Sequence, residues 1–382
     1  MKQTADAVVI GGGIVGMAAA FYLAREKFGS IVLVEKEKFF GSGSTSKAAG
    51  GIRAQFTTRV NIEMSMLAEK IFENFKDETG HDALFDQVGY MFLLSRDEDI
   101  EVFKKAFELQ KSLGLPAELL QPDDIPQYAP HVRLDDIKLA TFCKKDGLGD
   151  PAEFLSGYEH AAREHGVELV NEAPVTGLEV SGGKITKVKT AKGDIETPLV
   201  INAAGAWSGL IAEMAGADLK VKPYPRMCVT TAELDFMKPY FPMVVDVATG
   251  LYSHKESKGI LLGWANKDSE STFDQSILPD YVDGILERAL DRIPQLETAE
   301  VANQWTGLYS TTPDHRAVIG WEPSVEGLFY ITGFSGHGFM HAPSAGIVSM
   351  EMITGKKLSV DISDLSPERF ARGELVEEKN VI

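Results

Sequence analysis

Ala7-Val8-Val9-Ile10-Gly11-Gly12-Gly13-Ile14-Val15-Gly16 decides the fold of this chain. Its first four residues are a short apolar run, mostly β-branched, as expected of a strand buried on both faces in a parallel sheet. The glycines that follow contain G-x-G-x-x-G, and Met17 to Ala24 continues in strong helix formers. A second apolar run, Ile31-Val32-Leu33-Val34, ends in Glu35, at about the 20-residue spacing that a ribose-binding acid requires. Gly11 permits the tight turn, Gly13 lets backbone approach a pyrophosphate, and Gly16 lets helix and strand pack closely. The helix N-terminus, opening at Ile14 and Val15, offers free N–H groups and a positive dipole end to phosphate. Glu35 can accept from both ribose hydroxyls and would repel a 2′-phosphate. Strand, glycine turn, helix, strand and acid in this order predict a dinucleotide site.

Working outward, composition narrows the class. The 382 residues, 44% hydrophobic and 25% charged, suit an ordinary globular enzyme of about two domains. A formal charge of −18 argues against nucleic-acid binding, which needs a basic surface. An anionic substrate would have to be held by a local cation. Cys143 and Cys228 stand far apart in no ligand pattern, so no metal site is predicted and a reduced, cytoplasmic protein is the simplest expectation. The immediate start of the first strand leaves no room for a signal peptide, and no apolar stretch reaches the ~20 residues of a membrane span.

The fingerprint alone does not separate FAD from NAD. Three further segments resemble the D-amino-acid-oxidase-like flavoproteins, in particular their sarcosine oxidase and amine dehydrogenase branch. Lys36 is followed by Gly41-Ser42-Gly43-Ser44-Thr45-Ser46-Lys47-Ala48-Ala49-Gly50-Gly51-Ile52-Arg53, matching the loop that passes the pyrophosphate and flavin ring. Val200 to Ser208, with Ala203, Ala204, Gly205 and Trp207, matches a strand ending in small residues beside the cofactor. Gly327 to Met340, with Gly333, Gly336, His337, Gly338 and Phe339, matches a glycine-rich turn whose amides meet the flavin. The resemblance spans nearly the whole chain. It implies an α/β fold of glutathione-reductase type: a Rossmann-like FAD-binding domain with a discontinuous antiparallel-sheet substrate domain. The FAD domain would take residues 1–80, 147–217 and 318–382, and the substrate domain 81–146 and 218–317. Val175 is added to the cofactor set. It opens an alternating stretch, Val175 to Val188, that reads as a hairpin turning at Ser181-Gly182-Gly183. Residues 98–114 read as an amphipathic helix, and Val221 to Gly263 as strands of the sheet that covers the flavin.

The family oxidises C–N bonds, so the resemblance also implies catalytic residues. Arg53 sits where the sarcosine oxidase branch has a flavin-side arginine, and a guanidinium fork suits a carboxylate. D-amino-acid and glycine oxidases carry their arginine where this chain has Tyr309, which favours secondary amino acids. Tyr252 and His254 are candidates for the pocket wall. Met340 replaces an oxygen-activating lysine, Gly307 a flavin-linked cysteine, and Lys47 lies where relatives have a flavin-linked histidine. FAD is therefore expected to be noncovalent and the enzyme a dehydrogenase. The nearest branch, β subunits of heteromeric dye-linked L-proline dehydrogenases and sarcosine oxidases, implies a partner α subunit and leaves open an FMN at the interface. No FMN-linking histidine stands near Gly149-Asp150-Pro151. L-proline, oxidised to 1-pyrroline-5-carboxylate, is the leading substrate. A peroxide-forming sarcosine or glycine-type oxidase and a catalytically silent flavin-binding subunit are the alternatives.

Overall fold

A computed structural model describes residues 2–381. The first apolar run forms β1 (Ala7–Ile10), the glycine turn opens α1 (Ile14–Arg25), and the second run forms β2 (Ile31–Val34). β1 pairs in parallel with β2 on one side and with Val200–Asn202 on the other. Glu168–Val170 extends the sheet beyond β2, and Leu328–Thr332 lies beyond Val200–Asn202. Val318–Trp321 closes that edge antiparallel. Both faces of this six-stranded sheet are covered, which is why its strands read as unbroken apolar runs.

α1 is apolar on nearly every side because it is buried on every side, between the sheet and the helices Pro151–Glu164 and Gly338–Thr354. Phe21, Tyr22 and Tyr158 are fully buried there, and each aromatic of this kind contributes roughly 1.5–3 kcal/mol by leaving water. A methyl group at Gly16 would sit on the Gly11 carbonyl oxygen, so close helix–strand packing admits only glycine.

The second layer is an eight-stranded, largely antiparallel sheet. Val301–Thr311, Lys222–Thr231, Gly259–Trp264, Leu251–Glu256 and Met243–Asp246 lie side by side. Tyr90–Leu94, Leu139–Cys143 and Ala117–Leu120 complete it, with Met243–Asp246 and Tyr90–Leu94 running parallel. The strands expected between Val221 and Gly263 all form. The predicted hairpin forms as Val175–Ser181 and Lys184–Thr190, turning through Gly182 and Gly183, both at positive φ. The amphipathic helix runs Asp97–Ser112. Among the described residues no helix is long and apolar enough to cross a membrane.

A buried ion cluster fastens the connection between Val301–Thr311 and Val318–Trp321 to the short helix Glu368–Arg372. Asp314 receives Arg369 at 2.7 and 3.0 Å and lies 3.3 Å from Arg316, all three nearly inaccessible. Burial by itself would raise the Asp314 pKa, but its hydrogen bonds and charge contact with Arg369, aided by Arg316, lower it.

Candidate active site

Two connected cavities lie between the sheets. The larger, of about 540 Å³, runs from the mouth of the glycine turn toward the antiparallel sheet. It is lined by Gly11, Gly13, Ile14, Val15, Glu35, Lys36, Ser44 and Thr45 at one end, then by Val175, Ala203, Ala204, Gly205 and Trp207, and by Gly336, Gly338 and Phe339. α1 follows its N-cap Gly13, which has no side chain to cap it, and carries no acid in its first turn; the Ile14 amide donates to Thr45 Oγ1 at 3.1 Å. That leaves its positive end available to an anion. A Cβ at Gly13 would meet only Thr45 Oγ1, at 3.2 Å, so this glycine leaves open a cradle that a larger residue would fill. Glu35 is held in place by accepting from the Gly12 amide at 2.7 Å and the Glu37 amide at 2.9 Å. The Lys36 ammonium lies 3.7 Å from the centre of the Trp207 ring. A long cleft with a phosphate cradle at its helix end and an acid at the β2 terminus fits a dinucleotide.

The smaller cavity, of about 80 Å³, is the inner chamber. Ser44, Lys47, Ala48, Tyr309, Gly336 and Phe339 line both cavities, so one opens on the other. Arg53, Tyr252, Tyr309 and Met340 meet in this chamber, with Ala49, Gly50, Gly51 and His337 on its wall. Arg53 is 2% exposed. Its Nη1 donates to Gln55 O at 2.9 Å and its Nη2 to Asn380 O at 2.7 Å. Its guanidinium carbon lies 4.0 Å from the Phe56 ring centre, while Nε is buried with no partner. No carboxylate among the described residues pairs with it. Such a buried charge is costly unless a ligand completes it.

Burial keeps the chamber's tyrosines protonated: Tyr90 is pushed up to about 12, and Tyr252 and Tyr309 rise as well. The Tyr252 hydroxyl lies 3.3 Å from Cys228 Sγ. Burial, reinforced by His341 and Arg53, drives His337 far below the usual imidazole range, so its ring is neutral.

The structure leaves His254 outside both cavity linings. Its Nδ1 is turned to the Lys255 carbonyl at 2.8 Å, a local bond that competes with any role in the pocket. Gly16, Gly333 and Ser46 also line neither cavity. The first two are packing positions, and Ser46 is an exposed residue of the 3-10 turn Thr45–Lys47. Sequence reasoning missed Arg226, Tyr90, Met243 and Val381, all on the chamber wall. Arg226 stands directly opposite Gly307 across the paired strands, and its guanidinium lies 5.3 Å from the Tyr309 ring centre. Alternation along Lys222–Thr231 puts Arg226 and Cys228 on one face and was the available signal. Lys47 was noted only as a replacement for histidine. It stands at the junction of the cavities with Nζ 2.5 Å from Gln275 Oε1, and burial lowers its pKa.

Residues 6–352 match the model of the FAD dependent oxidoreductase family. The chain belongs to this family. FAD is accordingly its cofactor, and the cleft fits it. The L-proline dehydrogenase from P. horikoshii superposes with a TM-score of 0.92 at 32% identity, over 98% of this chain and 100% of that one. Sarcosine oxidase subunit beta of Arthrobacter sp. is 27% identical over 383 residues, covering 99% of this chain and 94% of the relative. Dimethylglycine dehydrogenase of Rattus norvegicus is 27% identical over 97% of this chain, which spans only 45% of that longer protein. The flavoenzyme is thus an amino-acid dehydrogenase or oxidase in kind.

Proposed function

We propose that this flavoenzyme oxidises the C–N bond of a small secondary amino acid, L-proline foremost, and passes the electrons to a partner subunit or acceptor. The observation that carries this reading is Arg53, a buried guanidinium that no carboxylate among the described residues pairs with, in a small aromatic chamber that opens on the FAD cleft. The resemblance to an L-proline dehydrogenase and to a sarcosine oxidase β subunit supports the same class.

In this reading the segments 1–80, 147–217 and 318–382 hold FAD, and 81–146 and 218–317 roof the chamber. The first-turn amides of α1 take the pyrophosphate and Glu35 the ribose. Ser44, Thr45 and the turn from Gly333 to Phe339 lie along the rest. Arg53 binds the substrate carboxylate, which directs the carbon on the far side of nitrogen toward the cleft. Tyr90, Met243, Tyr252 and Met340 exclude water, and so disfavour the ammonium against the neutral amine whose lone pair drives oxidation. Tyr252 and Tyr309, held protonated, can donate hydrogen bonds. Bound FAD supplies the two-electron acceptor for the hydride that leaves carbon. With loss of the N–H proton, proline becomes 1-pyrroline-5-carboxylate. Neutral, buried His337 and Met340 present no cation to stabilise superoxide, which supports a dehydrogenase.

One observation favours the alternative oxidase: Lys47 places a cation at the junction of the two cavities. Neither Gly307 nor Lys47 offers the cysteine or histidine of relatives with linked flavin, so FAD is bound noncovalently, and an interface FMN would be too. The two buried free thiols fit a reducing cytoplasm. The test is anaerobic: add L-proline, then sarcosine, to the FAD-bound protein, follow the long-wavelength flavin band, and admit air. Fast bleaching by proline with slow recovery is expected. Fast recovery would make it an oxidase, and no bleaching by either would refute the substrate class.

A further inference from the structure

We propose that the segment Val376–Val381 is a built-in strap that positions Arg53 and forms one wall of the substrate chamber. The inference rests on the reading of Arg53 as the carboxylate anchor. The strap alternates: Glu377 and Lys379 face solvent, while Glu378 and Asn380 are buried. Leu375 and Val376 are exposed, so apolar side chains do not glue it down at its start.

Its first fastening is a buried carboxylate. Glu378, 1% exposed, accepts from the Thr57 amide at 2.8 Å and hydroxyl at 2.6 Å. It also accepts from the Thr58 amide at 3.1 Å, the Thr58 hydroxyl at 2.7 Å and Asn61 Nδ2 at 3.0 Å. These donors sit at the start of α2 (Arg59–Glu73), whose N-cap Thr58 makes no side-chain cap bond of its own. The acid from the far end of the chain therefore caps α2, where the helix dipole favours negative charge.

Two residues on, Asn380 grips the loop that carries Arg53. Its carbonyl receives Arg53 Nη2 at 2.7 Å, and its side-chain amide donates to Gln55 O, the carbonyl that also receives Arg53 Nη1. The guanidinium is thus clamped on two nitrogens by neutral carbonyls, which fix its plane without cancelling its charge. Val381 then lines the chamber itself. The arrangement orients the anchor before substrate arrives, which matters because misplacement by about 1 Å can cost a hundredfold in rate.

The test compares four forms of the FAD-bound protein: the full chain, the chain ended after Glu377, Val381→Ala and Arg53→Ala. The probe is pyrrole-2-carboxylate, an anion that cannot be oxidised at a saturated C–N bond, titrated by the change in flavin absorbance. Ending the chain after Glu377 is expected to weaken probe binding and raise the KM for L-proline by about tenfold to a hundredfold, with a smaller change in kcat. Val381→Ala should shift preference toward the larger ring of pipecolate. If the shortened chain does not fold, Glu378→Gln, which keeps the shape but loses an acceptor oxygen, carries the same comparison. Lower thermal stability with unchanged probe affinity and unchanged KM would reduce the strap to a structural tail and overturn the inference. Unchanged probe affinity in Arg53→Ala would remove the anchor reading, and the strap's role with it.

Discussion

Replacing Asp146 by asparagine should erase a specific pH dependence of stability, because Asp146 is the fully buried support behind the Arg53 loop. Its carboxylate accepts from the Ala54 amide at 3.2 Å and from Gln55 Nε2 at 2.9 Å, and the buried Glu69 carboxyl lies close enough for each charge to raise the cost of the other. Burial pushes Asp146 from 3.8 up to about 6, although the hydrogen bonds from Gln55 and Ala54 act the other way. Glu69 is raised as well, by burial first and then by the Asp146 charge. A carboxyl group with a raised folded-state pKa contributes stability that is fully present below pH 3.8 and lost as pH rises through about 6. The gap between those two values corresponds to about 3 kcal/mol at 1.36 kcal/mol per pH unit. The measurement is the urea midpoint of wild type and Asp146→Asn at pH 4 and pH 7, converted with a common m-value. Taking the difference removes the background from carboxylates that Asp146 does not influence, and leaves the titration of Asp146 together with its effect on Glu69. Between pH 4 and pH 7 wild type should lose about 2 kcal/mol relative to the variant, because the unfolded carboxyl is already largely ionised at pH 4. A difference independent of pH would mean that Asp146 titrates normally in the folded protein, and the buried-pair account would fail.

Other expectations follow from single contacts. Glu35→Ala removes an acid whose two oxygens are already oriented by backbone amides, and FAD affinity of the apoprotein should fall about tenfold to a hundredfold. Unchanged affinity in an FAD titration would take Glu35 away from the ribose. Lys47→Met should slow reoxidation of the reduced flavin by air and Met340→Lys should quicken it, since a cation stabilises developing superoxide. Equal stopped-flow rates in both variants and wild type would show that neither position governs oxygen. Acid precipitation should leave all yellow colour in the supernatant, and flavin retained in the pellet would disprove noncovalent binding.

The parts of the fold that were legible in the sequence are those set by neighbours along the chain. The glycine turn, the helix-forming run after it and Glu35 at the end of β2 report one another through short-range geometry. The hairpin turning at Gly182-Gly183 is visible because both glycines adopt positive φ. The chamber is a different matter. Arg53 was recognisable through the resemblance of the loop that carries it, but its partner Asn380 is 327 positions away. No local pattern couples the two. Tyr90 and Met243 meet only because Met243–Asp246 and Tyr90–Leu94 pair in parallel, a long-range choice that alternating hydrophobicity does not encode. His254 shares the strand face of Tyr252, yet its Nδ1 bonds the adjacent carbonyl and it lines neither cavity.

The charge of the chain supplies a last and independent check on the proposed substrate. A protein carrying −18 surrounds its chamber with a field that repels free anions. L-proline is a zwitterion of no net charge, so that field does little to its approach. Only on arrival does its carboxylate meet Arg53, at a range where solvent and salt screen weakly. Pyrrole-2-carboxylate carries the same carboxylate with no ammonium to balance it, and must cross the full potential. Raising ionic strength from about 0.01 M to 0.1 M shortens the Debye length from about 30 Å to about 10 Å. The kcat/KM for L-proline should therefore stay nearly constant over that range, while the Kd of pyrrole-2-carboxylate falls. If kcat/KM for proline rose with salt as steeply as binding of the anion, the amine would be reaching the chamber without its positive charge. Neutralisation would then precede entry, and the dry chamber walls would not be what selects the reactive amine.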